Sequence, residues 1–436
     1  MSNHNRRKFI QQSSLLTGGL LINPVFKGRK MKYGSADELK IGLVGCGDRG
    51  SGAVVQALTA HPGNKLVAMA DVFSDQVERS LSNLTKIESI KDQIMVSNDK
   101  KYVGFEAYQK VVQDCDVVLL ATPPAFRPEH FEYTVAEKKH SFIEKPLSCD
   151  GPGTKRIFEA GKMAEKYDLK VVVGLQNRYD PAHNQMVEKI KKGAIGDILS
   201  STCYYMKGSY ELFPRAKTTS ELAFQIRNYH FFYWLWAGAP AGLQIHNADI
   251  VHWVKDSYPD SVQGNGGRAS LHGPDSGDVF DNFSLEYTYP DGTRMHSQIR
   301  TISRTLAKNG VWFIGTKGTA NLFEGIKNHS GKVLWKFDEK DTANSLQVEH
   351  DRLFEAIRNN KPINNVDYGA NSTLTAIMGR MAAHTGEVIT REDALNSEPL
   401  VEKDIREWSE APVVPDENYM YKFPRPGAVN RDMLKG

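Results

Sequence analysis

The chain is short of the residues that would announce several classes of protein. It holds four cysteines, Cys46, Cys115, Cys149 and Cys203, and no two of them are close. Their spacing fits neither a zinc site nor a readable disulfide framework, and no metal is expected. Charge leans to neither sign: the formal net is +3 over 436 residues, part of it carried by the first few residues. A nucleic acid or other polyanion is therefore not implied as a partner. No apolar run approaches the roughly 18 residues that a membrane span needs, so no membrane partner is expected. Internal repeats and low-complexity tracts are also missing, which excludes repeat arrays.

What is present is enough chain for two ordinary domains. The start reads Asn5-Arg6-Arg7-Lys8-Phe9-Ile10, followed by a modestly apolar stretch from Ser13 to Phe26. Paired arginines ahead of a weak hydrophobic segment resemble a twin-arginine export signal. That route carries folded proteins and suits an enzyme that takes up its cofactor before export. A periplasmic or secreted location is expected, with a basic tail on a cytoplasmic protein as the alternative. Residues 1–35 are set apart as signal and linker.

From Leu39 onward, short apolar runs alternate with helical stretches. Strands are expected at Leu39–Val44, Lys65–Asp71, Asp116–Ala121 and Lys170–Leu175, with another opening the run His140–Pro146 just before Lys145. Such alternation means βαβ units and a parallel sheet, here over residues 36–175. After Gln176 the texture changes to longer runs with period-two alternation, among them Ile198–Met206, Phe283–Tyr289, Thr293–Ile302 and Val311–Gly315. Asp291-Gly292 between two of them is a strong hairpin signal. Antiparallel strands in sequence suggest an open sheet with one face covered by helices over 176–411. Helical patterns recur at Pro181–Lys192, Glu349–Ile357 and Ser372–Thr385, and residues 412–436 read as an extended arm. The fold class is α/β, a Rossmann domain followed by a second α/β domain.

The loop Gly45-Cys46-Gly47-Asp48-Arg49-Gly50 follows the first strand and opens a helix, as a dinucleotide fingerprint requires. Gly45 allows the tight turn, Gly47 lets backbone approach a pyrophosphate, and Gly50 lets helix and strand pack closely. The helix N-terminus offers unpaired N–H groups to the phosphates. Asp71 ends the second strand about 20 residues on, where an acid accepts hydrogen bonds from the adenosine ribose. An Asp there repels a 2′-phosphate, so NAD is favoured over NADP, although Arg49 could partly offset this by contacting a phosphate. A glycine-rich turn in an unrelated α/β fold is the plain alternative.

Further motifs occur in order. Glu144-Lys145-Pro146 resembles the signature of the Gfo/Idh/MocA oxidoreductases, the glucose-fructose and inositol dehydrogenase family. Ala121-Thr122-Pro123-Pro124 resembles that family's nicotinamide-side loop, Gln176-Asn177-Arg178-Tyr179 the start of its second domain, and Ile245-His246-Asn247-Ala248-Asp249-Ile250 its catalytic helix. Gly315-Thr316-Lys317-Gly318-Thr319 resembles its late sheet motif. The chain is also similar to a secreted branch that carries twin-arginine leaders. The resemblance implies a Rossmann domain plus an α/β domain with a large, mostly antiparallel sheet, and a sugar, glycoside or cyclitol substrate lying between them, over the nicotinamide. It also implies a homodimer or homotetramer packed through the open sheet. Cofactor contacts are then expected from Gly45, Gly47, Asp48, Arg49, Gly50, Asp71, Thr122, Pro123, Glu144, Lys145 and Gln176.

Lys145 is the first candidate for the reaction. Hydride removal from a carbinol carbon needs the hydroxyl proton to leave, and a lysine pinned by Pro146 after a buried strand can reach it. The plain alternative is a surface lysine paired with Glu144. His246 is the second candidate, as base for oxidation or acid for reduction, because a histidine titrates near neutrality. A satisfied core histidine is its alternative. Asp249, three residues later, shares a helical face with His246 and is expected to orient it or bind substrate. Arg178, Tyr179 and Asn228 are expected to face the cleft, beside the aromatic run Tyr229–Trp236, which otherwise reads as core helix. Relatives often carry an acid four residues before the histidine; here that position is Gly242, and Gln244 is the possible replacement. The expected activity is NAD-dependent hydride transfer at a hydroxyl. A glycoside hydrolase that holds NAD tightly and uses it redox-neutrally is the alternative.

Overall fold

The computed structural model describes residues 37–402 and 404–427. The leader-like stretch and the last residues of the expected arm lie outside the described residues. Strands β1 (Leu39–Val44), β2 (Asn64–Asp71), β3 (Lys101–Val103), β4 (Val117–Leu120), β5 (His140–Ile143) and β6 (Val171–Val173) form a wholly parallel sheet, in the order β3-β2-β1-β4-β5-β6. Helices α1 (Asp48–Thr59), α2 (Ser74–Leu84), α3 (Ala107–Asp114), α4 (Arg127–Ala136) and α5 (Gly151–Lys166) connect them. Strands β4, β5 and β6 are buried at every position, the condition of a sheet covered on both faces. That condition is why β4 and β6 read as unbroken apolar runs, while β5 adds only His140 and Ser141 to its apolar pair.

The second half contains α6 (Pro181–Lys191), β7 (Ile198–Lys207), α7 (Glu221–Arg227), α8 (Tyr233–Trp236) and α9 (Ile245–Lys255). Strands β8 (Ser261–Gly267), β9 (Asn282–Thr288), β10 (Arg294–Thr301), β11 (Lys308–Gly315), β12 (Gly318–Asn321), β13 (Gly325–Asn328) and β14 (Val333–Trp335) follow. The chain then runs through α10 (Ser345–Arg358), α11 (Val366–Thr385), β15 (Ile389–Thr390) and α12 (Arg391–Leu395). The nine strands are ordered β14-β13-β12-β11-β7-β10-β9-β8-β15. Only the β7–β10 pair is parallel, so the sheet is mixed and mostly antiparallel. Along β10, Met295, Ser297, Ile299 and Thr301 turn inward while Arg294, His296 and Gln298 face out. The inner face packs Phe283, Tyr287 and Phe313 against α9 and α11.

Two expectations shift. Helix α10 crosses the expected boundary at 175/176: its Leu353, Phe354 and Ile357 share a core with Leu39 and Ile41 of β1 and Val54 of α1. The chain beside it extends that sheet, with Val171 N–H donating to Ile363 O at 3.0 Å and Asn365 N–H to Val171 O at 3.0 Å. The irregular arm begins at about residue 396 rather than 412, and it is packed, with Ile405 and Tyr421 buried.

Candidate active site

A cleft of about 860 Å³ opens at the carboxyl ends of β1, β2, β4 and β5, the crevice side of an open parallel sheet. All eleven residues expected to contact a cofactor line it: Gly45, Gly47, Asp48, Arg49, Gly50, Asp71, Thr122, Pro123, Glu144, Lys145 and Gln176. The glycines are held there by space and backbone. Gly45 has φ +96°, and a Cβ on Gly50 would lie 2.0 Å from the Gly45 carbonyl oxygen. A Cβ on Gly47 would meet nothing within 4 Å, because that atom would project into the open cleft. No side chain caps the start of α1, so its first-turn N–H groups remain for an anion.

Asp71 is held by two backbone donors, Cys46 N–H at 2.7 Å and Phe73 N–H at 3.0 Å. Burial nevertheless raises its pKa. Fixed in this way, its carboxylate has lone pairs left over for ribose hydroxyls. An uncapped helix start, an open cradle before Gly47 and a fixed acid at the end of β2 together fit a dinucleotide. Arg49 departs from expectation. Its guanidinium is engaged by Glu144 and Gln56 and lies 3.6 Å from Glu349, so it braces the loop instead of standing free for a 2′-phosphate.

Lys145 lies two residues past β5, and the ladder continues between them through Glu144 N–H to Leu120 O at 2.9 Å. Its Nζ donates to the Gly242 carbonyl at 2.9 Å. Burial in the cleft, reinforced by Arg127 and Arg49 against the pull of Glu144, brings its pKa down to about 8. Gly242 belongs to a single π-turn, Pro240–Gln244, that leads into α9. A Cβ at Gly242 would sit 2.0 Å from the Trp236 indole nitrogen. An acid cannot occupy that position here, since Trp236 fills the space and the backbone carbonyl takes the lysine instead. Gln244 is no substitute, for its buried amide has no hydrogen-bond partner among the described residues and is not part of the cleft lining.

His246, on the first turn of α9, lines the cleft with its Nδ1 buried and unpartnered. Desolvation, with Lys145 adding to it, pushes its pKa well below the usual histidine range. The expectation that it titrates near neutrality is therefore corrected: it is neutral at neutral pH, and Lys145 is the group that titrates nearby.

The four residues expected to bind substrate lie off the lining. Asp249 makes a two-pronged ion pair with Arg178, at 2.7 and 2.9 Å, and also accepts from Ser372 Oγ at 2.9 Å. Arg178 stacks 3.9 Å over Tyr368, and Tyr179 donates to Asn365 Oδ1 at 2.6 Å. Asn228 is buried, its amide bonded to Phe213 and Phe224 backbone. These groups join α9 and α11 to the end of the first sheet, or brace the loop before α7. His252, on the same helix as Asp249, is also off the lining and is bonded to Ser372 at 3.0 Å.

The aromatic run divides between both of its readings. Tyr229, His230 and Trp236 line the cleft, while Phe232, Trp234 and Leu235 are core. His230 stacks on Tyr210 with ring centroids 3.7 Å apart, and Trp236 stands edge-on to the pair. Pattern reading missed Arg127, which is buried beside the cleft and donates to the Pro146 carbonyl. It also missed Glu349, whose fully buried carboxyl has no hydrogen-bond partner among the described residues. A charged residue inside an apolar helical pattern is the signal both left in the sequence.

Comparison with known proteins agrees with this geometry. Residues 39–175 match the family model described as an oxidoreductase family with an NAD-binding Rossmann fold, and residues 183–321 match the C-terminal domain of the same family. An inositol 2-dehydrogenase of Acidothermus cellulolyticus is 24% identical over 238 residues, 54% of this chain and 60% of that protein. A glycosyl hydrolase family 109 protein of Shewanella baltica is 21% identical over 222 residues, 47% of each chain. The chain thus spans about half the length of the curated relatives it matches. Among solved structures, scyllo-inositol dehydrogenase from Lactobacillus casei with bound NAD(H) and scyllo-inositol superposes with a TM-score of 0.61 at 18% identity, over 82% of this chain and 100% of that one. Aldose-aldose oxidoreductase from Caulobacter crescentus gives 0.62 at 15% identity, over 81% and 99%. With its Rossmann half and its second domain both matched, the chain belongs to the Gfo/Idh/MocA oxidoreductases.

Proposed function

We propose that the protein is an NAD-dependent oxidoreductase acting on a hydroxyl of a sugar, glycoside or cyclitol. The observation that carries this reading is the placement of Lys145 and His246 on the lining of the same cleft as the glycine loop and Asp71. Bound NAD supplies a hydride acceptor, or in its reduced form a donor, for the carbinol carbon. Lys145 Nζ, exchanging its bond to Gly242 for the substrate hydroxyl, takes the proton as the carbonyl forms and returns it in reduction. His246, neutral, holds that hydroxyl by a hydrogen bond. Tyr210, Tyr229 and Trp236 offer aromatic faces to the apolar side of a sugar ring. The relatives' names support this substrate class, an inositol dehydrogenase among the curated proteins and another among the structures.

The similarity to glycosyl hydrolase family 109 proteins supports a second reading, glycoside cleavage with NAD retained and regenerated in each turnover. One experiment separates them. Purified protein is given NAD and a panel of cyclitols, sugars and aryl glycosides, while NADH absorbance and aglycone release are followed together. Net NADH supports the dehydrogenase, and aglycone without net NADH supports the hydrolase. If the panel gives neither and NAD does not bind, both readings fail. The Arg6-Arg7 pair supports export as the setting, and the exposed Ile314 and Val333 on the second sheet and Phe323 in its β12–β13 turn support self-association.

A further inference from the structure

Residues 404–410 form a braced turn in the irregular C-terminal segment, with Arg406 N–H and Glu407 N–H both donating to Glu410 Oε2, at 2.8 and 3.0 Å. This turn meets the cleft wall twice. Trp408 packs on Phe73, with centroids 5.3 Å apart, and on Phe105 at 4.9 Å. Arg406 pairs with Glu129, which accepts from Tyr108 Oη at 2.8 Å. Phe73, Phe105 and Tyr108 all line the cleft, and Phe73 is two residues past Asp71. Arg227 of α7 lies 3.8 Å over Phe73 and is tied to Asp75 at 2.6 Å. Aromatic faces next to the ribose-binding acid suit a purine base. Those faces are held in place by a segment some three hundred residues away in the chain.

We propose that the Arg406–Trp408 turn is a clamp on the adenosine end of the cleft, holding Phe73, Phe105 and Tyr108 in place so that the dinucleotide is released slowly. The inference rests on the NAD reading above. Trp408 is a positioning residue: it touches the wall, not the cleft itself. Arg406 secures the same turn from its other side. A cofactor held in this way stays with the protein through many turnovers, whichever of the two chemistries it serves.

The test is release of NADH from the preloaded full chain, followed by its fluorescence after addition of excess NAD. Trp408→Ala is expected to speed release by about tenfold, the scale of one lost aromatic contact. Trp408→Phe should restore slow release, and Arg406→Ala should fall between, while the association rate changes little. In the wild type, bound NADH should slow amide exchange across residues 404–410. That measurement decides the matter if Trp408→Ala does not fold. Release at the wild-type rate from Trp408→Ala overturns the clamp, as does unchanged amide exchange. Failure of the wild type to bind NADH at all overturns the NAD reading instead.

Discussion

Lys145 is the group in the cleft whose proton exchanges near neutrality, at about pH 8, because burial and the neighbouring guanidiniums disfavour its ammonium form. Oxidation of an alcohol needs the neutral amine, so kcat/KM for oxidation should rise about tenfold per pH unit below about 8 and level off above it. Reduction needs the ammonium form and should decline above the same pH. Paired pH profiles check this, and Lys145→Arg should remove the break, since a guanidinium stays charged throughout. A break near 6.5 would transfer the proton to a histidine. Glu349 faces the same cluster, and its pKa is raised well above the usual range by burial and by Glu144. The placement of the glycines and Asp71 was legible because strand, loop and helix follow one another in sequence, and that of Lys145 through the resemblance of Glu144-Lys145-Pro146 to a family signature. The state of His246 was not, since its pKa depends on water that only packing removes. Arg49 read as a phosphate contact because its partners Glu144 and Glu349 are remote in sequence.

Helix α9 shows why spacing places a residue on a face without saying what that face meets. His246 and Asp249 are three apart, and periodicity put both toward the cleft. In the fold His246 lines the cleft, while Asp249 is drawn to Arg178, Ser372 and the start of α11. Asp249→Ala should therefore behave as a broken buried ion pair, destabilising by about 3–5 kcal/mol with Arg178 left uncompensated. Chemical denaturation measures that cost. A substrate-binding role predicts the reverse, an unchanged unfolding midpoint with a raised KM. Helix α11 was read from Ser372 but begins at Val366, and nearly every residue on it is buried. A helix enclosed by the second sheet on one side and α5 on the other has no polar face, so the periodic signal that marks its start is weak. Strands β3 and β13–β15 escaped reading because each is too short to show alternation, and β8, SVQGNGG, because glycines and polar residues hide its period.

At the scale of the whole molecule, the first sheet is completed by chain that comes after the second. Helix α10 shares a core with β1, residues 363–365 extend the edge at β6, and the 404–410 turn backs the cleft wall. Local alternation cannot report such returns, so a contiguous boundary at 175/176 looked sufficient. The consequence is thermodynamic. Unfolding the first sheet must strip α10 from it, and unfolding the second half removes His246, Trp236 and Arg227 from the cleft. The described body should therefore melt in one transition that NAD moves as a whole. At a hundred times its Kd the ligand adds about 2.7 kcal/mol to the folded state, and the midpoint should climb with the logarithm of NAD concentration. NADP should move it far less, because Asp71 is fixed where a 2′-phosphate would lie. Differential scanning calorimetry with each nucleotide reads both effects. Two transitions, with only the earlier or the later one responding to NAD, would mean that the cleft draws its affinity from one half of the chain and that the return of α10 does not couple them.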